Sequence, residues 1–170
     1  MNTQISIDAE IVPNESLGGL TIRAKLTDIQ ELITQRWVQE VSQKPAEQKE
    51  AAFQMQGPFV ARYLLEDRAI EVFVDVRNGK IFQLTAKSGY QGTLFGVIRV
   101  GMSVSEAMTL EPRLYYDEGQ ELIMCKGVNG LAIDIPDTDP PPELVPTMNI
   151  FAISVYADEI DTIQGQDSDW

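Results

Sequence analysis

The side chains with the strongest chemical character in this sequence are carboxylates close to two adjacent tyrosines. The set is Tyr115, Tyr116, Asp117, Glu118, Asp137, Asp139 and Glu143. If the tyrosines lie on a strand, their side chains point to opposite faces, because successive strand residues alternate. The outward tyrosine would then be an aromatic anchor within an acidic surface, an arrangement suited to protein binding. The pattern therefore predicts a partner-binding site.

Metal binding and acid/base catalysis are the other chemistries open to these acids. Asp134, Asp137 and Asp139 resemble part of a calcium loop, but such a loop needs a central glycine and a distal bidentate glutamate, and three prolines follow instead. Asp117 and Glu118 could act as an acid/base pair only if burial separated their pKa values, and their sequence context favours a turn. We predict no metal, no cofactor and no catalytic residue.

Histidine is absent from the chain, and Cys125 is the only cysteine. Histidine is the most frequent general base and a common metal ligand, so its absence disfavours both kinds of site. Cys125 follows an apolar run and is expected to be a buried structural residue, and a single thiol cannot form an intramolecular disulfide. We expect the protein not to be an enzyme.

The charge of the chain is unevenly distributed. The sequence contains 26 acidic and 13 basic residues and has a net charge of −13. Residues 111–170 hold 13 of the acids but only two bases, Arg113 and Lys126, and therefore −11 of that charge. Such a surface repels nucleic-acid phosphates and attracts a basic protein. Acidity also raises solubility without any partner, and this alternative stays open.

Two segments with the same local pattern precede the strands that must position these acids. Residues 19–30 and 98–106, which are 76 positions apart, each contain an Ile-Arg pair and then a hydroxyl residue, Thr27 or Ser103. A glutamine or glutamate follows three positions later, which predicts a capping box. The first helix would begin after Thr27 and the second after Ser103.

A second repetition, at a shift of 51 positions, places Asn129-Gly130 where the first half has Asn78-Gly79. Such pairs favour type I′ turns between antiparallel strands. The sequence therefore predicts an α+β fold of two tandem helix-plus-antiparallel-sheet units that could share one continuous sheet. The boundaries are residues 1–92, with an inserted segment near 35–57, residues 93–157, and residues 158–170 as a flexible acidic tail.

Two further predictions concern the first unit. Alternating apolar residues predict an opening strand over residues 4–12. Residues 46–56 within the inserted segment are predicted as a short helix or a flexible loop, because they are rich in Ala, Gln and Glu but have a thin apolar face.

The segment Ile98-Arg99-Val100-Gly101-Met102-Ser103, followed by Glu106, resembles the repeat of beta-lactamase inhibitory proteins and of small outer-membrane assembly lipoproteins. The resemblance implies a beta-lactamase inhibitory protein-like fold. The chain differs from the secreted inhibitors in having no cysteine pair and no signal-like start, and from the lipoproteins in having no cysteine near Met1. We therefore expect a cytoplasmic protein without a membrane segment.

Three other motifs are similar to small immunity proteins of bacterial polymorphic toxin systems. They are Ser16-Leu17-Gly18-Gly19-Leu20, Gly89-Tyr90-Gln91-Gly92-Thr93-Leu94 and Leu114-Tyr115-Tyr116-Asp117-Glu118. The resemblance implies a cytosolic immunity protein that inhibits a toxin domain with a basic surface by covering its active site or substrate path. The alternative is a non-catalytic adaptor or chaperone-like protein that docks through residues 35–57. No oligomeric state is predicted.

Overall fold

An eight-stranded antiparallel sheet dominates the computed structural model, which describes residues 4–43 and 53–170. The helices are α1 (Leu26–Gln43), α2 (Val104–Leu110) and α3 (Ile163–Gln166). A separate hairpin consists of β1 (Ser16–Leu17) and β2 (Leu20–Thr21). The strands of the large sheet are β3 (Phe53–Met55), β4 (Val60–Leu65), β5 (Ile70–Asp75), β6 (Lys80–Ala86), β7 (Leu114–Asp117), β8 (Leu122–Cys125), β9 (Leu131–Asp134) and β10 (Ala152–Tyr156). The fold is α+β, as the sequence predicts.

The order of strands across the large sheet is β3-β4-β5-β6-β10-β9-β8-β7. Strands β3 to β6 form one antiparallel meander and β7 to β10 form another. The two meet where β10 pairs with β6, with Ile153 opposite Ala86 and Val155 opposite Leu84. One continuous sheet therefore spans both halves of the chain. The predicted unit boundaries stay a prediction.

One face of this sheet, the closed face, packs against α1, α2 and the N-terminal segment. Its strands contribute buried residues that include Val72, Leu84, Val155, Ile133 and Ile123. The covering elements contribute Ile29 and Ile33 from α1, Val104 and Ala107 from α2, and Ile5, Ile11, Leu17, Leu20 and Ile22 from the N-terminal segment. Burying each large aliphatic side chain contributes about 1.5–3 kcal/mol, so this layer is the main source of stability.

The opposite face, the open face, carries the alternate residues of the same strands. Across the sheet from β4 to β7 these include Arg62, Glu71, Phe73, Gln83, Thr85, Ser154, Tyr156, Ala132, Asp134, Leu122, Met124, Tyr115 and Asp117. Polar and apolar side chains are mixed on this face, as is common where an antiparallel sheet meets solvent.

The β1–β2 hairpin joins the N-terminal segment to the chain around Tyr90. Gly18 and Gly19 form its turn with φ angles of +65° and +78°, which glycine adopts without strain. The amide of Gly18 donates to the Tyr90 hydroxyl (2.9 Å), which donates to the Ala9 carbonyl (2.7 Å). Burial raises the pKa of Tyr90 to about 12, so this donor keeps its proton. Two of the motifs similar to immunity proteins thus meet in a structural contact.

The strand predicted over residues 4–12 is wrong. Residues 7–9 form a turn, and Ile11 and Val12 make isolated bridges to Leu94 and Ser16. The buried residues Ile5 and Ile11 belong to the hydrophobic core, so their spacing reflects burial without strand pairing.

The Asn-Gly pairs do lie between paired strands, but the predicted type I′ turn is wrong. That turn requires positive φ at both central residues. Gly79 (φ +72°) and Gly130 (φ +66°) have positive φ, whereas Asn78 and Asn129 do not. The two connections, residues 76–79 and 126–130, are longer than a two-residue turn. They therefore do not require positive φ at two successive residues.

The inserted segment near residues 35–57 is divided among several elements. Residues 35–43 continue α1, and residues 44–52 lie outside the described residues. The predicted helix is wrong for Phe53–Met55, which form edge strand β3. Phe53 pairs with Tyr63 of β4, with ring centroids 5.2 Å apart, and this cross-strand contact favours the strand.

Residues 158–170 are named here the C-terminal strap. They contain a 3-10 turn at Asp158–Asp161 and helix α3. The Ser168 hydroxyl donates to Asp75 (2.8 Å), and the Arg77 guanidinium donates to the Gln166 carbonyl (2.8 Å). Arg77 and Lys80 of the first half thus contact the strap. The flexibility expected for residues 158–170 stays a prediction.

The two predicted helix caps differ. At α2, the Ser103 hydroxyl accepts from the amide of Glu106 (3.2 Å), as predicted. Helix α1 instead begins at Leu26, whose amide donates to the Gly79 carbonyl (2.8 Å). The cap predicted at Thr27 is therefore wrong, because Thr27 lies inside the first turn.

We expect Ser103→Ala to lower the free energy of unfolding by about 1 kcal/mol through loss of the cap hydrogen bond. Thr27→Ala is the matched control and should not destabilise, because alanine is a better helix former than threonine. Urea unfolding of both variants measures the difference. Equal destabilisation by the two substitutions would contradict these helix starts.

Candidate binding surface

Most of the predicted binding residues lie at the β7 end of the sheet, but on both of its faces. Tyr115 is on the open face opposite Met124 and is 37% exposed. Tyr116 is on the closed face opposite Ile123 and packs, partly buried, against the core. Tyr115 is therefore the outward tyrosine, and the Lys126 ammonium lies 5.9 Å from its ring centroid.

Asp117, at the end of β7, has a structural role in the β7–β8 turn. Its carboxylate accepts from the amides of Gly119 (2.9 Å) and Gln120 (3.1 Å). This is the Asx-type hydrogen bonding that favours aspartate at turns. Replacing Asp117 would therefore disturb the turn as well as the surface charge.

Four carboxylates in the β7–β8 turn and in the loop after β9 form a second group, named here the acidic edge. They are Glu118, Glu121, Asp137 and Asp139. The Asp139 amide donates to the Glu121 carboxylate (3.2 Å), which links the two loops. Burial raises the pKa of Tyr116, and the nearby carboxylates of Glu121, Asp139 and Glu118 raise it further. Four of the predicted residues, namely Tyr116, Glu118, Asp137 and Asp139, thus belong to one end of the sheet.

Glu143 stands apart from this group. It is exposed in the loop before the 3-10 turn at Val145–Thr147. Within residues 4–43 and 53–170, no hydrogen bond or ion pair connects Glu143 to the acidic edge. The structure therefore brings together most of the predicted set and leaves this residue outside it.

A cavity of about 330 Å³ opens on the open face beside these residues. Its lining comes from β6, β8, β9, β10, the β7–β8 turn and the C-terminal strap: Gln83, Gln120, Leu122, Met124, Ala132, Asp134, Ser154, Tyr156, Ile160 and Asp161. The lining contains two carboxylates and no basic residue. This concave site was not predicted from the sequence.

The floor of the cavity is a buried polar network. The hydroxyls of Ser154 and Thr85 lie 2.8 Å apart, and both side chains are 5% exposed. The Gln83 side-chain nitrogen donates to the Thr85 hydroxyl (3.2 Å). Because the nitrogen is used in this way, the Gln83 amide oxygen is the group that can accept from a ligand.

Asp134 contributes a partly desolvated carboxylate to the same cavity. Burial raises its pKa, Lys87 partly opposes this shift, and Glu71 adds to it. Among the described residues, none donates a hydrogen bond to the Asp134 carboxylate. A carboxylate in this position gains from any cationic donor that enters the cavity.

Arg23 holds the strap that forms one wall of the cavity. Its guanidinium donates to both carboxylate oxygens of Glu159 (2.8 and 2.5 Å) and to Asp158 (3.1 Å). It also donates to the side-chain oxygen of Asn14 (2.6 Å). Hydrogen bonding to Arg23 lowers the pKa of Glu159 to about 2. This fork positions the following residues, Ile160 and Asp161, at the cavity.

Sequence reasoning missed the cavity because its residues come from distant strands. Gln83 and Ser154 are 71 positions apart. Ser154 interrupts the apolar run of β10, and this interruption is a signal that could have pointed to it, whereas β6 also contains Lys80 and Thr85, so Gln83 does not stand out. For Asp134, the sequence offers only a resemblance to part of a calcium loop.

Within the described residues, histidine, cysteine, aspartate and glutamate side chains do not gather in threes at a possible metal site. The expectation of no metal and no cofactor stays a prediction. None of the helices in residues 4–43 and 53–170 has the length and apolar character needed to cross a bilayer.

No protein family model matches the sequence, and no curated protein matches it. Among solved structures, the chain is similar to the crystal structure of the uncharacterized protein yfeY from Escherichia coli. That similarity has a TM-score of 0.44 at 12% identity and covers 61% of this chain and 78% of that chain. A likeness at this level supports no conclusion about family or function.

Proposed function

We propose that this chain is a cytoplasmic immunity protein that binds and inhibits a cognate bacterial toxin domain. The observation that carries the proposal is the makeup of the open face around Tyr115. There, an exposed tyrosine and the apolar side chains of Leu122 and Met124 adjoin the carboxylates of Asp117 and Asp134. An aromatic anchor beside carboxylates favours a partner with basic residues.

The sheet topology supports the finer fold proposal, two tandem units of the beta-lactamase inhibitory protein kind. Helix α1 precedes the meander β3 to β6, and α2 precedes the meander β7 to β10. The shared order of elements favours duplication, with units over residues 1–92 and 93–157. An extended open face built from both units suits the covering of a large partner surface.

Inhibition on this proposal is non-catalytic. The acidic edge and the open face would draw a basic toxin surface toward the sheet, because clustered charge of one sign raises association rates by roughly 10- to 1,000-fold. The bound face would then cover the toxin's active site or its substrate path. The toxin's own basic residues, used on nucleic acid or nucleotide, would meet the carboxylates.

Growth rescue tests the function. Each gene that neighbours the one for this chain is expressed under a tight promoter in a bacterial host, with and without the present protein. We expect one neighbour to arrest growth and co-expression to restore it. Absence of any toxic neighbour, or arrest that co-expression never relieves, would refute the immunity function.

The same assay tests the surface with a matched pair of variants. Glu118→Lys with Asp137→Lys reverses two exposed charges of the acidic edge, and Glu10→Lys with Glu15→Lys makes the same charge change elsewhere. We expect the first variant to rescue poorly and to associate with the toxin roughly tenfold more slowly at low salt, while the second behaves as wild type. If the two variants rescued growth and associated with the toxin equally well, the acidic residues would serve solubility and not partner binding.

One observation favours the adaptor alternative. Apolar side chains are exposed at the β3 edge of the sheet, including Phe53, Met55 and Phe59. Binding of a partner held through this edge would be lost on Met55→Ser, which changes an exposed residue of the 35–57 segment, and would be insensitive to the acidic-edge variant. The immunity function predicts the reverse, namely binding that is lost in the acidic-edge variant and kept in the β3-edge variant. The same binding assay therefore separates the two functions.

A further inference from the structure

The cavity on the open face has the size and lining of a site for one long side chain. Its volume of about 330 Å³ is at the lower end of the range for small-ligand sites, roughly 300–1,000 Å³. Leu122, Met124, Ala132 and Ile160 supply apolar contacts, and Asp134 and Asp161 supply charge. A side chain with an apolar stem and a cationic end matches this division.

The acceptors are spread around the cavity and not gathered at one point. Asp134 lies at the end of β9, the Gln83 amide oxygen is on β6, and Asp161 comes from the strap. Tyr156 and Asp161 both line the cavity. Burial raises the pKa of Tyr156, and the charges of Asp161 and Asp158 raise it further.

This arrangement suits a guanidinium better than an ammonium group. A guanidinium is planar, has five donors in a fixed fork, and stacks on aromatic rings. An ammonium is a compact charge that prefers to keep its water. The acceptors lie on two strands and the strap, next to the ring of Tyr156 in the cavity lining. This distribution matches a planar guanidinium and not a compact ammonium.

We propose that the cavity receives an arginine side chain of the bound partner, with Asp134 and Asp161 as its anionic acceptors and Gln83 as a neutral one. This inference rests on the proposed function, because it identifies the toxin group that the open face recognises. The arginine stem lies along Leu122 and Met124, and its guanidinium lies beside Tyr156.

Small probes test the cavity without any toxin. The full chain, labelled with ¹⁵N, is titrated at constant ionic strength with N-acetyl-arginine methylamide, its citrulline counterpart and its lysine counterpart. We expect saturable amide shifts around Gln83, Asp134, Ser154 and Tyr156 with the arginine probe. The neutral citrulline probe has the same shape and should bind roughly tenfold more weakly, because it lacks the charge-assisted bonds.

Matched variants complete the test. Asp134→Asn should weaken arginine binding roughly tenfold, whereas Glu10→Gln, which removes one exposed carboxylate charge outside the cavity and the acidic edge, should change it less than about twofold. Asp161→Asn serves the same purpose if the Asp134 variant does not fold. Equal binding of the arginine and lysine probes, or shifts spread over the acidic edge, would overturn the inference. Growth rescue without arginine binding would reject the cavity assignment alone, and arginine binding without rescue would reject the immunity function.

Discussion

Gly92→Ala is expected to lower the free energy of unfolding by about 2 kcal/mol or more, as overpacking against a rigid neighbour does. A Cβ atom at Gly92 would lie 1.9 Å from the carbonyl oxygen of Ala9 and 2.7 Å from the Tyr90 ring. The Gly92 amide also donates to the Ile7 carbonyl (2.9 Å), so the two segments cannot move apart without losing that bond. Urea unfolding measures the change.

Gly57→Ala is the control for this substitution. No atom lies within 4 Å of a Cβ atom at Gly57, and neither glycine has positive φ. The control should therefore stay within about 0.5 kcal/mol of the wild type, as surface substitutions do. A Gly92 variant as stable as the Gly57 variant would mean that the N-terminal segment does not pack against residues 90–92.

Arg23→Gln is expected to destabilise the protein by about 1–2 kcal/mol at pH 7, with a smaller difference in acid. The fork between Arg23 and Glu159 is charge-assisted, but both side chains are about one-third exposed, so solvent reduces its contribution. The pKa of Glu159 is lowered from 4.5 to about 2, so its contribution is complete above pH 4.5. That contribution disappears as the pH falls toward 2. Urea unfolding of both proteins at pH 7 and near pH 3 measures the two differences.

Arg113→Gln provides a matched loss of one paired arginine. Arg113 donates to both carboxylate oxygens of Glu111 (2.8 Å each), two residues away. Neighbours this close in sequence can also meet in the unfolded chain, so the pair should affect stability far less than one that joins positions 23 and 159. If the two substitutions had equal effects, Arg23 would not anchor the strap in solution.

Local patterns in the sequence predict which types of element form, but not the residue at which each element begins. The capped start of α2 at Ser103 follows from a hydroxyl and its spacing to Glu106, which are properties of one turn. The matching pattern at Thr27 failed because the Leu26 amide finds a distant acceptor, Gly79, and the helix begins earlier. The tertiary hydrogen bond from the Leu26 amide to the Gly79 carbonyl thus forms in place of the local cap predicted at Thr27.

The candidate site shows the same limit. The alternation of Tyr115 and Tyr116 could be predicted, since it depends on the pleat of one strand. The cavity could not, because it requires the register that brings Ser154 opposite Thr85 and Asp134 opposite Ala152. The contact between Arg23 and Glu159 of the strap could not be predicted either, because the two residues are 136 positions apart and meet only in the folded chain.

The pairing of β10 with both β6 and β9 has a consequence for synthesis of the chain. Strands β6 and β9 are made before β10, so each has an unpaired edge until residues 152–156 arrive. Exposed edges of this kind readily pair with other chains. The last strand to be synthesised, β10, thus joins the two halves of the sheet. Without it, the β6 edge of the first half and the β9 edge of the second half both stay unpaired. Nascent chains stalled before residue 152 are therefore the form of this protein most exposed to aggregation and most in need of a chaperone.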